Sequence, residues 1–187
     1  FCEDAPEYHI VVAGSLLGVA LHEGVSFPVG KVQTLRLFPM DFGEFLVALG
    51  QKQLFELIKS GDESLINAFH EKLKELLRQY YYVGGMPEVV KSYVENKSLN
   101  NVRTLQNEIL SNYAGDFSKH APANEVPRIE MVWKSLLGQL AKENKKFVYG
   151  ALRKGARAKD FEMAIQWLGD AGLVYKRQRG AKPELAF

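Results

Sequence analysis

Apolar residues recur at helical spacing from Phe42 onward with few interruptions, and that period constrains the fold more than any other feature of the chain. Phe42, Phe45, Leu46 and Leu49 share one face, and Asp41 with Glu44 three positions later has capping-box spacing, so a first helix is expected to end near Leu49. Leu54, Phe55, Leu57 and Ile58 mark a second. Asp62 or Ser64 begins a longer one, with Leu65, Phe69, Leu73, Leu76, Leu77 and Tyr80 on its apolar side. Gly84-Gly85 breaks the run, and Pro87 suits the first turn of the next helix, where its missing N–H costs nothing. Two more helices are predicted over residues 99–117 and 125–143, parted by the breaker-rich residues 118–124.

The two ends read differently. Ile10-Val11-Val12-Ala13 is a β-branched apolar run, Gly14-Ser15 turns into a short helical stretch over 16–21, and residues 31–38 alternate Val32, Leu35 and Leu37 with polar residues until Pro39. Strand, turn and helix in that order is α/β grammar. A short apolar strand belongs in a sheet covered on both faces, and the chain has few other strands to flank this one. With no initiator Met, the expectation is a piece of a larger protein, with the missing strands upstream of Phe1. At the other end, residues 147–149 are β-like, 158–171 form a helix with Phe161, Ile165 and Leu168 inward, and Gly172 supplies its C-terminal cap. Residues 173–175 form a strand, and Pro183 ends a basic hairpin tip. This is the order of a winged helix-turn-helix. The fold class expected is mostly α with a small β part.

Composition excludes more than it identifies. With 47% hydrophobic and 25% charged residues, the 187-residue chain is ordinary for a globular protein, which sets aside disorder, collagen and coiled coil. A net charge of +2 points to no partner, but its distribution does. Up to Leu140 there are 13 basic and 17 acidic residues; beyond it there are 11 and 5. One cysteine, Cys2, excludes an internal disulfide and a cysteine-cluster zinc site and suits a reducing, cytoplasmic compartment. No window reaches the ~18 apolar residues of a membrane span, and the acidic opening is unlike a secretory signal, so no membrane association is expected.

Few residues carry chemistry. Gly24 to Lys31 superficially resembles the phosphate loop G-x-x-x-x-G-K-[ST], but five residues separate its glycines and Val32 replaces the hydroxyl that would hold Mg²⁺. Phosphoryl transfer therefore lacks its parts in this chain. His9, His22, His70 and His120 have no metal-ligand spacing, no G-x-S-x-G occurs, and Cys2 is a poor nucleophile candidate. Neither a catalytic residue nor a metal ligand is expected here.

Val12-Ala13-Gly14-Ser15-Leu16-Leu17-Gly18, Phe27-Pro28-Val29-Gly30-Lys31-Val32 and Phe38-Pro39-Met40-Asp41-Phe42-Gly43-Glu44-Phe45-Leu46 together resemble a bacterial and archaeal AAA-type ATPase family. Tyr82-Val83-Gly84-Gly85-Met86-Pro87-Glu88 and residues 173–185 extend the likeness. Such proteins join a P-loop core, a helical lid, a winged helix and a nuclease-like C-terminal domain of uncharacterised function. The resemblance covers the whole chain but only the middle of the family's length, without Walker A or Walker B. It implies that residues 1–50 end the P-loop core, 51–122 form the lid and 123–187 the winged helix. It also implies ATP and Mg²⁺ in the full-length parent, with none bound by this piece alone.

Carried over residue by residue, the resemblance places Ser15 near the sensor of the nucleotide's γ-phosphate, although Ser after Gly equally caps a helix. Lys31 matches a position where the family often has Arg, and lacks the guanidinium fork that suits phosphate. Gly85 and Pro87 resemble a Gly-x-Pro lid element whose proline packs on the nucleotide; a plain glycine turn before a helix explains the same residues.

Lys154, Arg157, Lys159, Arg177 and Arg179 lie near the turn and wing of the expected winged helix, where cations meet DNA phosphates. Mixed signs at Arg157, Lys159, Asp160 and Glu162 argue against sequence reading. The expected function is thus a non-catalytic nucleotide-sensing and lid piece of an ATPase, partnered by the upstream P-loop half and the downstream domain, with DNA or a homo-oligomer as further partners. The rival is a DNA-binding or protein-docking module without an ATPase role. A purely helical interaction protein is the third, disfavoured because residues 10–12 would expose a strand edge.

Overall fold

A computed structural model describes residues 7–11, 13–14, 33, 35–144 and 146–177. Among these residues the chain forms eight α-helices and two short 3₁₀ turns: α1 (Phe42–Ala48), α2 (Lys52–Ser60), α3 (Glu63–Ala68), α4 (His70–Val83), α5 (Pro87–Asn96), α6 (Leu99–His120), α7 (Val126–Leu140), the turns Tyr149–Ala151 and Ala158–Asp160, and α8 (Glu162–Asp170). They divide between two compact units, Thr34–Tyr113 and Ala114–Phe187, the latter grouped with Phe1–Gln33.

In the first unit α1 has only seven residues, too few to persist alone. The Asp41 carboxylate accepts from the Glu44 N–H at 2.8 Å and the Glu44 carboxylate accepts from the Asp41 N–H at 2.9 Å, so the capping box forms as its spacing predicts. Packing supplies the rest. Phe45 and Leu46 are fully buried on two sides of α1, Phe45 with Val83, Val89, Val90, Tyr93 and Val102, Leu46 with Leu54 and Leu76. Each such side chain contributes about 1.5–3 kcal/mol by leaving water. The single helix expected from Asp62 to Tyr80 is two, because Phe69 leaves helical geometry at φ −101°, ψ 10° between α3 and α4.

In the second unit α7 packs on α8. Phe117 is fully buried, with the edges and faces of Trp133 and Trp167 set nearly perpendicular to it at centroid distances of 5.5 and 5.6 Å. Ile129, Val132, Phe161, Ala164 and Leu168 complete the buried set. α8 closes in a Schellman arrangement: the Gly172 N–H donates to Gly169 O and the Leu173 N–H to Leu168 O, both at 2.9 Å, with Gly172 at φ +73°. Gly172 thus terminates the helix as its position predicts.

The β part is corrected by the structure, since no strand occurs among the described residues. Ile10, Val11 and Ala13, and Leu35 to Phe38, form no ladder and are exposed, Val11 to 94% and Leu37 to 90%. A β-branched apolar run becomes a strand only where a neighbour takes its backbone hydrogen bonds, and no neighbour among the described residues does so. At the other end Phe147 and Val148 lead into the Tyr149–Ala151 turn, and residues 173–175 form no strand. The helix expected over 158–171 begins instead as the Ala158–Asp160 turn and becomes α-helical at Glu162.

Candidate functional site

The corner between α4 and α5 is the most tightly specified feature of the first unit. Gly84 has φ +76° and ψ −171°, a conformation essentially restricted to glycine, and its N–H donates to Tyr80 O at 2.7 Å. Gly85 is required for a different reason. A Cβ on it would lie 2.2 Å from the carbonyl oxygen of Met40, so only glycine allows the two backbones to meet. There the Met40 N–H donates to Gly85 O at 2.7 Å, and the Tyr80 hydroxyl donates to Met40 O at 2.8 Å. Both polar groups of Met40's backbone are therefore held by α4 and the corner.

Two further contacts fix the corner. The Gln106 side-chain amide on α6 donates to Tyr82 O at 2.7 Å and Val83 O at 3.1 Å, satisfying carbonyls that a helix end leaves unpaired. The Tyr80 ring lies against Phe42 and Phe45 with centroids 5.7 and 5.4 Å away. Burial pushes the Tyr80 hydroxyl above its ordinary pKa, and the nearby carboxylates of Asp41 and Glu44 push it the same way.

Pro87 is the first residue of α5, as its sequence context predicts, and stays exposed. It lines an open groove of about 240 Å³ with Met40, Ala48, Val90 and Val94, and with Lys91 and Glu95. The proline and the valines lie along one face of α5, with Met40 brought in by the Gly85 contact. This groove can bind an apolar or flat group, with one cation and one carboxylate, Lys91 and Glu95, at its wall. Among the described residues no three His, Cys, Asp or Glu side chains are placed to hold a metal.

The second unit offers charge rather than a groove. Lys154, Arg157 and Lys159 are exposed on the connection leading into α8, and Arg177 is exposed on the segment that follows it. The Asp160 carboxylate accepts from the Arg157 N–H at 2.9 Å and so shapes that connection. Gly85 and Pro87 are thus brought together in one unit and these four cations belong to the other. Ser15, Lys31 and Arg179 lie outside the described residues.

Sequence reading missed Met40 and Gln106 at the corner, and Gln139 in the second unit. Gln139 is 5% exposed; its side-chain oxygen accepts from the Val148 N–H at 2.6 Å and its amide donates to Ser135 Oγ at 3.3 Å, which in turn donates to Val132 O at 2.8 Å. Each of these residues acts on a partner that the sequence does not place nearby, except Gln139, whose four-residue spacing from Ser135 was the available signal.

Residues 74–186 match the family described as a domain of unknown function (DUF8612), and the chain belongs to that family. The matched span contains the Gly84–Pro87 corner and the four exposed cations, and excludes Met40. No curated protein and no solved structure is detectably similar to the chain. Among the described residues no helix is long and apolar enough to cross a membrane.

Proposed function

We propose that this member of the DUF8612 family is the non-catalytic, nucleotide-sensing part of an AAA-type ATPase, comprising the end of a P-loop core, a helical lid and a winged helix. The observation that carries the reading is the Gly84–Pro87 corner: a backbone geometry tied to Met40 holds an exposed proline over an open apolar groove. The groove's lining suits the flat face of a nucleobase and leaves the triphosphate and Mg²⁺ to residues outside it. In this reading Pro87 packs on the base, and the resident compartment is the cytoplasm.

The winged-helix assignment rests on the order α7, the non-helical residues 146–148, a 3₁₀ turn, α8 and the reversal at Gly172. In that scheme the middle helix is reduced to the Tyr149–Ala151 turn.

The test has two parts. The coding sequence upstream of Phe1 is expected to encode G-x-x-x-x-G-K-[ST] and an acidic strand end, and the full-length protein is expected to hydrolyse ATP while the 187-residue chain alone does not. A full-length protein that binds no nucleotide overturns the reading.

A further inference from the structure

The cations of the second unit are arranged about α8 but not on it. Arg153, Lys154, Arg157 and Lys159 are exposed on the segment before the helix, and Lys176 and Arg177 on the segment after it. The solvent-facing positions of α8 itself are Glu162, Met163, Gln166, Gly169 and Asp170, with no cation among them. The reversal at Gly172 returns the following segment against the helix, where Val174 N–H reaches Leu168 O at 3.3 Å. None of Lys154, Arg157, Lys159, Lys176 and Arg177 forms an ion pair among the described residues, whereas Lys74, Arg128 and Lys134 each pair with a carboxylate three or four positions away.

These facts decide between two ways of meeting nucleic acid. A helix that reads base edges needs donors such as Arg, Lys, Asn or Gln along its exposed face. α8 offers a single such donor there, Gln166, and no cation, and its first residue, Glu162, is an exposed carboxylate that the phosphate walls of a groove repel. The flanking cations are uncommitted, solvated and free to exchange water for phosphate. We propose that this unit binds duplex DNA through its phosphates, without reading sequence, using Lys154, Arg157, Lys159, Lys176 and Arg177 while α8 stays outside the groove. This inference does not depend on the nucleotide reading of the other unit.

Five phosphate contacts release about five counterions, so the slope of log K against log salt is about −4.5, and raising salt from about 50 to 200 mM weakens binding roughly 500-fold. The experiment is fluorescence anisotropy of the 187-residue chain on two labelled duplexes of unrelated sequence across that salt range. A second protein carries Lys154→Ala, Arg157→Ala, Lys159→Ala, Lys176→Ala and Arg177→Ala, with its helicity checked by circular dichroism. The expected result is equal affinity for both duplexes, the steep salt slope, and loss of binding in the five-fold variant with helicity unchanged.

The proposal is overturned by absence of saturable binding at about 50 mM salt, or by undiminished binding in the variant. It is also overturned by a tenfold or greater preference for one duplex, which would return α8 to a reading role. Tighter binding of poly-glutamate than of the duplex at equal charge concentration would likewise overturn it and mark the surface as a dock for an acidic protein.

Discussion

The two units place their candidate functional residues differently with respect to what holds them folded. In Thr34–Tyr113 the groove is built by the residues that fix the backbone: Gly85 meets Met40, Met40 lines the groove, and Pro87 starts the helix whose Val89 and Val90 fill the core. From Ala114 onward the core gathers aliphatic side chains around an aromatic trio and a buried glutamine, while the cations stand on exposed connections outside it. Substitution of Gly85 therefore alters fold and site together. In the second unit, function can be removed from the surface while the core is left intact.

The largest effect should come from the core of the second unit. Phe117→Ala leaves a cavity between Trp133 and Trp167 and is expected to destabilise by about 3–5 kcal/mol, read by chemical denaturation. Gly85→Ala comes next, at about 1–3 kcal/mol, because the new Cβ meets backbone rather than a movable side chain. If Gly85→Ala were neutral, the corner would be far looser than the Met40 contact requires, and the contrast between the units would fail.

Tyr80→Phe is a smaller and more selective test. It deletes the hydrogen bond to Met40 O and should cost about 1 kcal/mol. Its pH dependence has a definite sign. The folded state holds the Tyr80 hydroxyl protonated to higher pH than the unfolded chain does, so its contribution is complete below the ordinary value of 10.0 and is lost as pH rises through the raised folded value. Denaturation at about pH 9 and pH 11 should show the wild-type chain losing more stability than Tyr80→Phe does over that interval. The smallest effect belongs to the exposed cations. Each alanine substitution at Lys154, Arg157, Lys159, Lys176 or Arg177 should change stability by no more than about 0.5 kcal/mol.

Local features of this fold were legible in the sequence and long-range ones were not. The Asp41–Glu44 box, Asp62 as a helix start, Pro87 at a first turn and Gly172 after a last one each involve residues within a few positions, and all appear as their spacing predicts. Gly84-Gly85 was readable as a break but not as two separate requirements, since the second depends on Met40, 45 positions earlier. Gln106 and Gln139 look like ordinary surface residues until a distant carbonyl or N–H comes to them. Ile10-Val11 and Leu35 to Leu37 show the opposite error. Their composition is that of strands, but strand formation is decided by a pairing partner, and composition does not reveal one.

The most direct test of the central claim is the nucleotide affinity of the full-length protein carrying Pro87→Ala. Pro87 is exposed and donates no hydrogen bond, so this change separates contact with a ligand from support of the fold. The account predicts a Kd for ATP weakened roughly fivefold to tenfold, corresponding to about 1–1.4 kcal/mol, with the thermal midpoint nearly unchanged. An unchanged Kd would contradict it and leave the Gly84–Pro87 corner as a structural turn alone.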